Sequence, residues 1–180
     1  MANSDNTLET MNLQLIGAEK EEQLIIFNVG DEEFGLDVLR VQEIIRYIKP
    51  TKIPHTPTFV EGVIDFRGEV IPVFNMRQRF GIDDHNNSDA MVIIVIEHSG
   101  RMFGMTVDRV SDLKNLPKDK LQQRAEFTAE GKTQYLRAMG KLEDRLILIL
   151  DLEKIIDLNE EQQLDEIISS LDPQETSDSE

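Results

Sequence analysis

The chain has 180 residues, 39% of them apolar, and carries a formal net charge of −16 with a pI near 4.5. That length suits one domain, at most with two lobes, and the acidity argues against nucleic acid or an anionic membrane as partner, since both need a basic face. There is no cysteine, which excludes disulfides, zinc–thiolate sites, iron–sulfur clusters and cysteine nucleophiles.

Residues 1–21 are polar with scattered leucines and read as a mobile arm. The start, MANSDNTLETMNLQLIGAEK, has neither the basic stretch nor the apolar run of a signal peptide. No apolar run further on approaches the roughly 20 residues of a membrane span, so direct membrane insertion is not expected and a cytoplasmic protein is. Gln23–Val29 is rich in β-formers, Gly30–Glu33 is a turn, and Phe34–Val38 starts the return strand of a hairpin. Val41–Ile45 reads as either a helical turn or more strand. With the residues just before it, Val38–Ile45 holds more apolar residues than one strand face buries, so surplus core and surface anchors both stay open. Lys52–Pro57 is broken by two prolines and must be a loop or edge segment. GVIDFRGEVIPVF, residues 62–74, is a second hairpin with Arg67-Gly68 at its tip. Pro72 has no N–H, so its strand must leave one side unpaired there or carry a bulge.

Asp83–Asp89 is a polar linker. Ala90–Ile96 is an almost continuous apolar run, expected as a strand buried on both faces. Ser99-Gly100 turns it back into Arg101–Val107, and Leu146–Leu150 is read as another buried strand. Leu152, Ile155 and Ile156 look helical. Asn159 is the expected cap of a last helix over 159–171, with Leu164, Ile167, Ile168 and Leu171 at helical spacing and Pro173 as its stop. Residues 172–180 form an acidic tail.

The two halves repeat one another. Offset by 69 positions, Phe34-Gly35 falls on Phe103-Gly104, Arg40 on Arg109, Glu43 on Asp112 and Ile44 on Leu113. Further on the offset is 76, and Val70 meets Leu146, Ile71 meets Ile147, Val73 meets Ile149 and Asn75-Met76 meets Asp151-Leu152. Each half therefore reads as hairpin, connector, hairpin and short helix. Roughly five short strands per half predict a mainly β fold of two small barrels or half-open sheets. At the hairpin tip the repeat fails in charge: Arg67-Gly68 stands where the second half has Glu143-Asp144. A tip needed for folding alone has no reason to reverse its sign.

Catalytic chemistry is hard to find. His55, His85 and His98 have no companion at metal-ligand spacing. Asp84, Asn86 and Ser88 imitate a calcium loop, but Asp89 replaces the turn glycine and Val95 the last carboxylate. The ten glycines are scattered, so no phosphate-binding loop exists, and there is no G-x-S-x-G. Asp65, Glu69 and Glu43 are carboxylates near turns, where such groups are usually solvated. No metal, cofactor or catalytic site is expected, and a binding module is.

Phe34–Ile45, Thr56–Arg77 and Gly104–Asp112, with the string GVI-polar-apolar-RG-x-apolar-apolar-PV at residues 62–73, closely resemble the CheW family of chemotaxis coupling proteins. The likeness covers about residues 22–158. It implies a CheW-like fold of two five-stranded SH3-like barrels around a shared core, with lobe one at about 22–82 and lobe two at about 90–158. It implies a non-catalytic scaffold that joins the signalling tip of methyl-accepting chemotaxis receptors to the regulatory domain of the histidine kinase CheA, recruited to membrane receptor arrays and able to self-associate in rings. Carried over by motif position, the coupling residues are Val41, Glu43, Gly62, Arg67, Gly104 and Leu113, with Glu43 and Arg67 as a pair. Asp65-Phe66 stands where the family often has Asn-Leu. Two alternatives remain: a paralogue serving a pilus or gliding pathway, and a small-ligand binder or enzyme using a groove between the lobes.

Overall fold

The computed structural model of the chain describes residues 20–83, 88–123 and 134–170. The expectations for the N-terminal arm before Lys20, for His85 and for the acidic tail lie outside the described residues.

The first hairpin joins β1 (Glu21–Val29) to β2 (Glu32–Asp37). Asp37 then caps a 3-10 turn at Val38–Arg40, its Oδ1 accepting from the Leu39 N–H at 3.0 Å. The Val41–Ile45 segment is strand, within β3 (Val41–Arg46), and its residues alternate between half-buried and exposed. The second hairpin is β4 (Val60–Phe66) and β5 (Glu69–Asn75), closed by the short helix α1 (Met76–Arg79). The second half follows the same order, with β6 (Val92–His98), β7 (Arg101–Val107), β8 (Arg109–Pro117), a short extra strand β9 (Leu121–Gln123), β10 (Leu136–Leu142), β11 (Arg145–Leu150) and α2 (Leu152–Ile155). Equivalent caps start the two short helices: Asn75 accepts from the Gln78 N–H, and Asp151 from the Glu153 N–H. The final helix α3 (Leu158–Ser170) is capped by Asp157, two positions before the expected Asn159. Asp157 Oδ1 accepts from the Glu160 N–H at 3.0 Å and Glu160 Oε2 accepts from the Asp157 N–H at 3.2 Å, a reciprocal capping box.

The strands form a six-stranded sheet, ordered β8-β1-β2-β11-β10-β9, and a five-stranded sheet, ordered β3-β6-β7-β5-β4. Both stay open along the order given, and each draws strands from both halves. The lobes expected at 22–82 and 90–158 therefore do not coincide with the sheets. Each half's first hairpin is lodged in the sheet completed by the other half. The register keeps the duplication: Gly35 lies opposite Ile149 in the parallel pair of β2 and β11, and Gly104 opposite Val73 in the parallel pair of β7 and β5. These pairs are related by the offsets of 69 and 76. Close strand approach explains the two glycines. A Cβ on Gly35 would meet Ile147 Cγ2 at 3.2 Å, and one on Gly104 would meet Ile93 Cγ2 at 2.8 Å. Pro72 is accommodated because β5 pairs with β7 only over Val73–Asn75, so no donor is missing on that side.

Apolar burial follows the same symmetry. Leu24, Ile26, Ile147 and Ile149 form a small core on the six-stranded sheet. Their counterparts Ile93, Val95, Ile71 and Val73 form one on the five-stranded sheet. Between them lies a shared core containing Phe27, Phe34, Phe74, Phe80, Phe103, Ile94 and Met105. Ile93–Ile96 are fully buried as expected of β6, whereas Leu146 is 57% exposed, so β11 is buried on one side only at its start.

One ionic knot ties the sheets together. Arg77 of α1 donates from Nε and Nη2 to both Asp108 oxygens at 2.8 and 2.7 Å, and Asp108 also accepts from the Gly30 N–H at 2.8 Å. Asp108 thus joins the end of β7, the β1–β2 turn and α1.

Candidate functional site

Arg67 sits in a two-residue turn between β4 and β5, with φ 51 at Arg67 and 81 at Gly68. Two successive positive φ values match the twist of a tight hairpin, and Asp65 Oδ1 holds the turn by accepting from the Gly68 N–H at 2.9 Å. The equivalent turn has φ 48 at Glu143 and 65 at Asp144. The same backbone is thus built in both halves. Nothing in it calls for arginine, a residue less at ease with positive φ than asparagine or glycine.

The guanidinium lies 5.0 Å from the Phe66 ring centroid, and its Nη2 is 3.1 Å from Glu43 Oε2. Glu43 is carried by β3. Pairing of β3 with β6 shifts register between Val41 and Glu43, a bulge that re-aims the side chains around it. Since β3 and β4 are the two outer strands of their sheet, the Arg67–Glu43 pair spans its open seam. Further along, the free edge of β4 is met at Val63 by a bridge from Thr51, in the connector that follows β3. The pair is solvent-facing, with side chains 68% and 41% exposed, so it contributes about 0–1 kcal/mol to folding. In the other half Asp112 stands in Glu43's place and is 3.4 Å from its own neighbour Lys114.

Gly62 and Gly104 are buried and present no side chain to a partner. Gly62 has φ 153, and a Cβ there would lie 2.2 Å from the Thr51 carbonyl oxygen. Gly62→Ala is therefore expected to break the Thr51–Val63 bridge and to destabilise by about 2–4 kcal/mol through strain and overlap. Chemical denaturation reads this as a lower midpoint at unchanged slope. Val41 is half-buried beside Glu43, and Leu113 is 52% exposed on β8, at the edge of the other sheet. The structure thus brings Glu43 and Arg67 together, with Val41 two residues before Glu43 on β3 and packed against the shared core, and Gly62 buried within β4. It sets Leu113 apart and buries Gly104 in a central strand.

Among the described residues the exposed large aliphatics are Leu39, Ile44, Ile48, Val70, Leu113 and Leu146, and Leu39 and Ile44 lie in the segment whose apolar surplus left surface anchors open. Ile44 and Val70 are each 39% exposed, and Leu146, expected in the core, joins Leu113 at the surface. The repeat relates them: Ile44 falls on Leu113 and Val70 on Leu146. Each sheet therefore presents an exposed aliphatic residue from its edge strand and another from its second hairpin. That correspondence was the available signal.

The candidate carboxylates do not form an acid–base pair. Glu43 is engaged by Arg67, Asp65 by the turn amide, and Glu69 is exposed. Among the described residues no group of three or more His, Asp or Glu is placed to hold a metal. Surface hollows are open and mixed in character, such as the one lined by Glu22, Asp37, Leu39 and Lys118. Among the described residues no helix is long and apolar enough to cross a membrane.

The CheW-like domain family model matches residues 23–160, which takes in both sheets, α1 and α2. The chain belongs to the CheW family. It is 33% identical over 157 residues to the chemotaxis protein CheW of Klebsiella aerogenes, covering 87% of this chain and 95% of that protein. A probable CheW of Rhizobium etli is 30% identical over 142 residues, covering 79% and 92%. The crystal structure of the scaffolding protein TtCheW from Thermoanaerobacter tengcongensis is similar with a TM-score of 0.71 and 31% identity, covering 77% of this chain and 94% of that one. The intertwined sheets are thus a CheW architecture. The CheW-like match ends at Glu160, so most of α3 lies beyond it.

Proposed function

We propose that the chain is a non-catalytic cytoplasmic scaffold that couples chemotaxis receptors to the histidine kinase CheA at receptor arrays. The observation that carries this reading is the paired surface. Ile44 and Val70 on one sheet and Leu113 and Leu146 on the other give the molecule two related apolar ends. A two-ended adaptor needs such an arrangement, and exposed aliphatic residues repeated by duplication are hard to explain by folding. The ion pair then distinguishes the ends. Glu43 and Arg67, with Val41 two residues before Glu43, mark the five-stranded sheet's seam, while the six-stranded sheet has only acids at the equivalent tip. In this reading the kinase regulatory domain and the receptor signalling tip engage these ends and the region between them. Gly62 and Gly104 act by keeping the strands close. Membership of the CheW family supports the same reading.

Arg67→Ala tests it. The pair is exposed, so the variant is expected to unfold within about 1 kcal/mol of the parent. A desolvated charged contact with a partner is worth more, so binding in a coprecipitation or calorimetric assay with the kinase regulatory domain and the receptor tip is expected to weaken at least about tenfold for one of them. Loss of the fold, or unaltered binding to both, would remove Arg67 from the coupling surface.

A further inference from the structure

The C-terminal helix is fastened in an unusual way. α3 follows β11 and α2, so it leaves from the six-stranded sheet, but it is held by residues of the other sheet's elements. Arg79 of α1 lies 4.0 Å from the Phe59 ring centroid and 5.2 Å from that of Tyr135. Between these rings its two terminal nitrogens reach the two Glu160 oxygens at 3.2 and 3.0 Å. The Glu160 carboxylate is also half of the capping box, so one side chain both starts the helix and anchors it. Arg101, at the start of β7, faces the next residue, Glu161, at 3.8 Å and is ion-paired with Asp165 one turn further on. Leu164, 3% exposed, enters the shared core, while Ile167 and Ile168 are only half-buried. The described part of the helix therefore rests on one deeply buried leucine and on carboxylates gripped by two arginines.

Isolated helices of this length are marginal in water, so α3 exists because its seat holds it. Charge pairs are screened by salt, and elements with little buried apolar area open locally ahead of the rest. The seat itself is selective. It offers two arginines, Arg79 laid over Phe59 and Tyr135 and Arg101 one turn along, in a chain of net charge −16. Its fitting occupant is an acidic amphipathic helix with the pattern Glu-Glu-x-x-Leu-Asp, and every copy of the chain carries one at Glu160–Asp165.

We propose that α3 is a releasable strap: it leaves its seat as a unit while both sheets stay folded, and the uncovered seat is a docking cleft for the same helix of a second copy of this chain. The proposal concerns a surface apart from the coupling ends and stands whether or not those ends bind the partners named above.

Hydrogen exchange on the full chain tests the first half. α3 amides are expected to exchange well ahead of those in β6 and β7, and at least about tenfold faster in high salt. Arg101→Glu is expected to produce the same acceleration at low salt without altering exchange in the strands. Adding Asp165→Arg to it is expected to restore protection, which loss of packing would not do. The absence of native cysteine makes the second half readable. Chains carrying Arg101→Cys and chains carrying Asp165→Cys are mixed, pulsed with salt, returned to low salt and oxidised. A disulfide between unlike chains, well above that given by either variant alone, is the expected result. Exchange of α3 in step with the strands would overturn the strap. Opening without cross-linking above the single-variant controls would overturn docking of a second copy.

Discussion

Asp108→Ala is expected to lower the thermal midpoint by roughly 6–20 °C while leaving the exposed ends of the molecule unaltered in sequence. Arg77 and Asp108 are largely buried, with side chains 18% and 13% exposed, and their contact is bidentate. Removing one member of such a pair costs about 3–5 kcal/mol, because the remaining charge has been taken out of water for a partner that is gone. The Gly30 amide loses its acceptor in the same substitution. For a domain of this size each kcal/mol corresponds to about 2–4 °C. Asp108→Asn keeps the shape and one acceptor oxygen, so it is expected to fall between the parent and the alanine variant. A midpoint within about 2 °C of the parent for Asp108→Ala would mean that the knot adds nothing to holding the sheets.

Dividing the chain in the linker at 84–87 is expected to abolish folding of both pieces. A conventional two-lobed protein cut between its lobes yields two folded fragments. Here the cut removes from each sheet the strands that complete it. The first piece keeps β1 and β2 but loses β8 and β11, their neighbours on either side, and the second keeps β6 and β7 but loses β3 and β5. Phe27, Phe34, Ile94 and Met105, all 0% exposed, would be opened to water, at about 1.5–3 kcal/mol for each large side chain. Neither piece alone is expected to show a cooperative transition by circular dichroism. Mixing them is expected to restore one, since the hairpins then find their partners in trans. A cooperative transition from the first piece alone would contradict the intertwined topology.

Much of the fold is legible in the residues, and what is not has a physical reason. The hairpins, the Phe-Gly repeat and the two offsets follow from apolar patterning and turn residues, and the offsets carry the observed register of Gly35 with Ile149 and of Gly104 with Val73. Exchange of the first hairpins is not legible. A duplication says which strands are equivalent, and both the exchanged and the unexchanged arrangement satisfy that equivalence. β8, reading RVSDLKNLP, carries alternating exposure and no apolar run, so it stands out only as a partner of β1. Leu146 reads as core because Leu146–Leu150 is continuously apolar; only pairing decides which end of such a run emerges. Asp157 displaces Asn159 as cap because Glu160, three positions on, completes a reciprocal box with it. At the candidate site the Arg67–Glu43 pair follows from the hairpin tip and the family motif. Ile44 and Val70 needed the repeat to be read as a surface pattern.

The most direct test of the two-ended scaffold is a calorimetric titration of the folded chain with the CheA regulatory domain and with a soluble receptor signalling-tip fragment. It is performed on the parent, on Ile44→Asp and on Leu113→Asp, each checked for an unchanged unfolding transition. Micromolar binding by the parent, with the two substitutions weakening different contacts, is the predicted result. Absence of binding to both partners by folded protein at high concentration, or equal loss from either substitution at every contact, would contradict it.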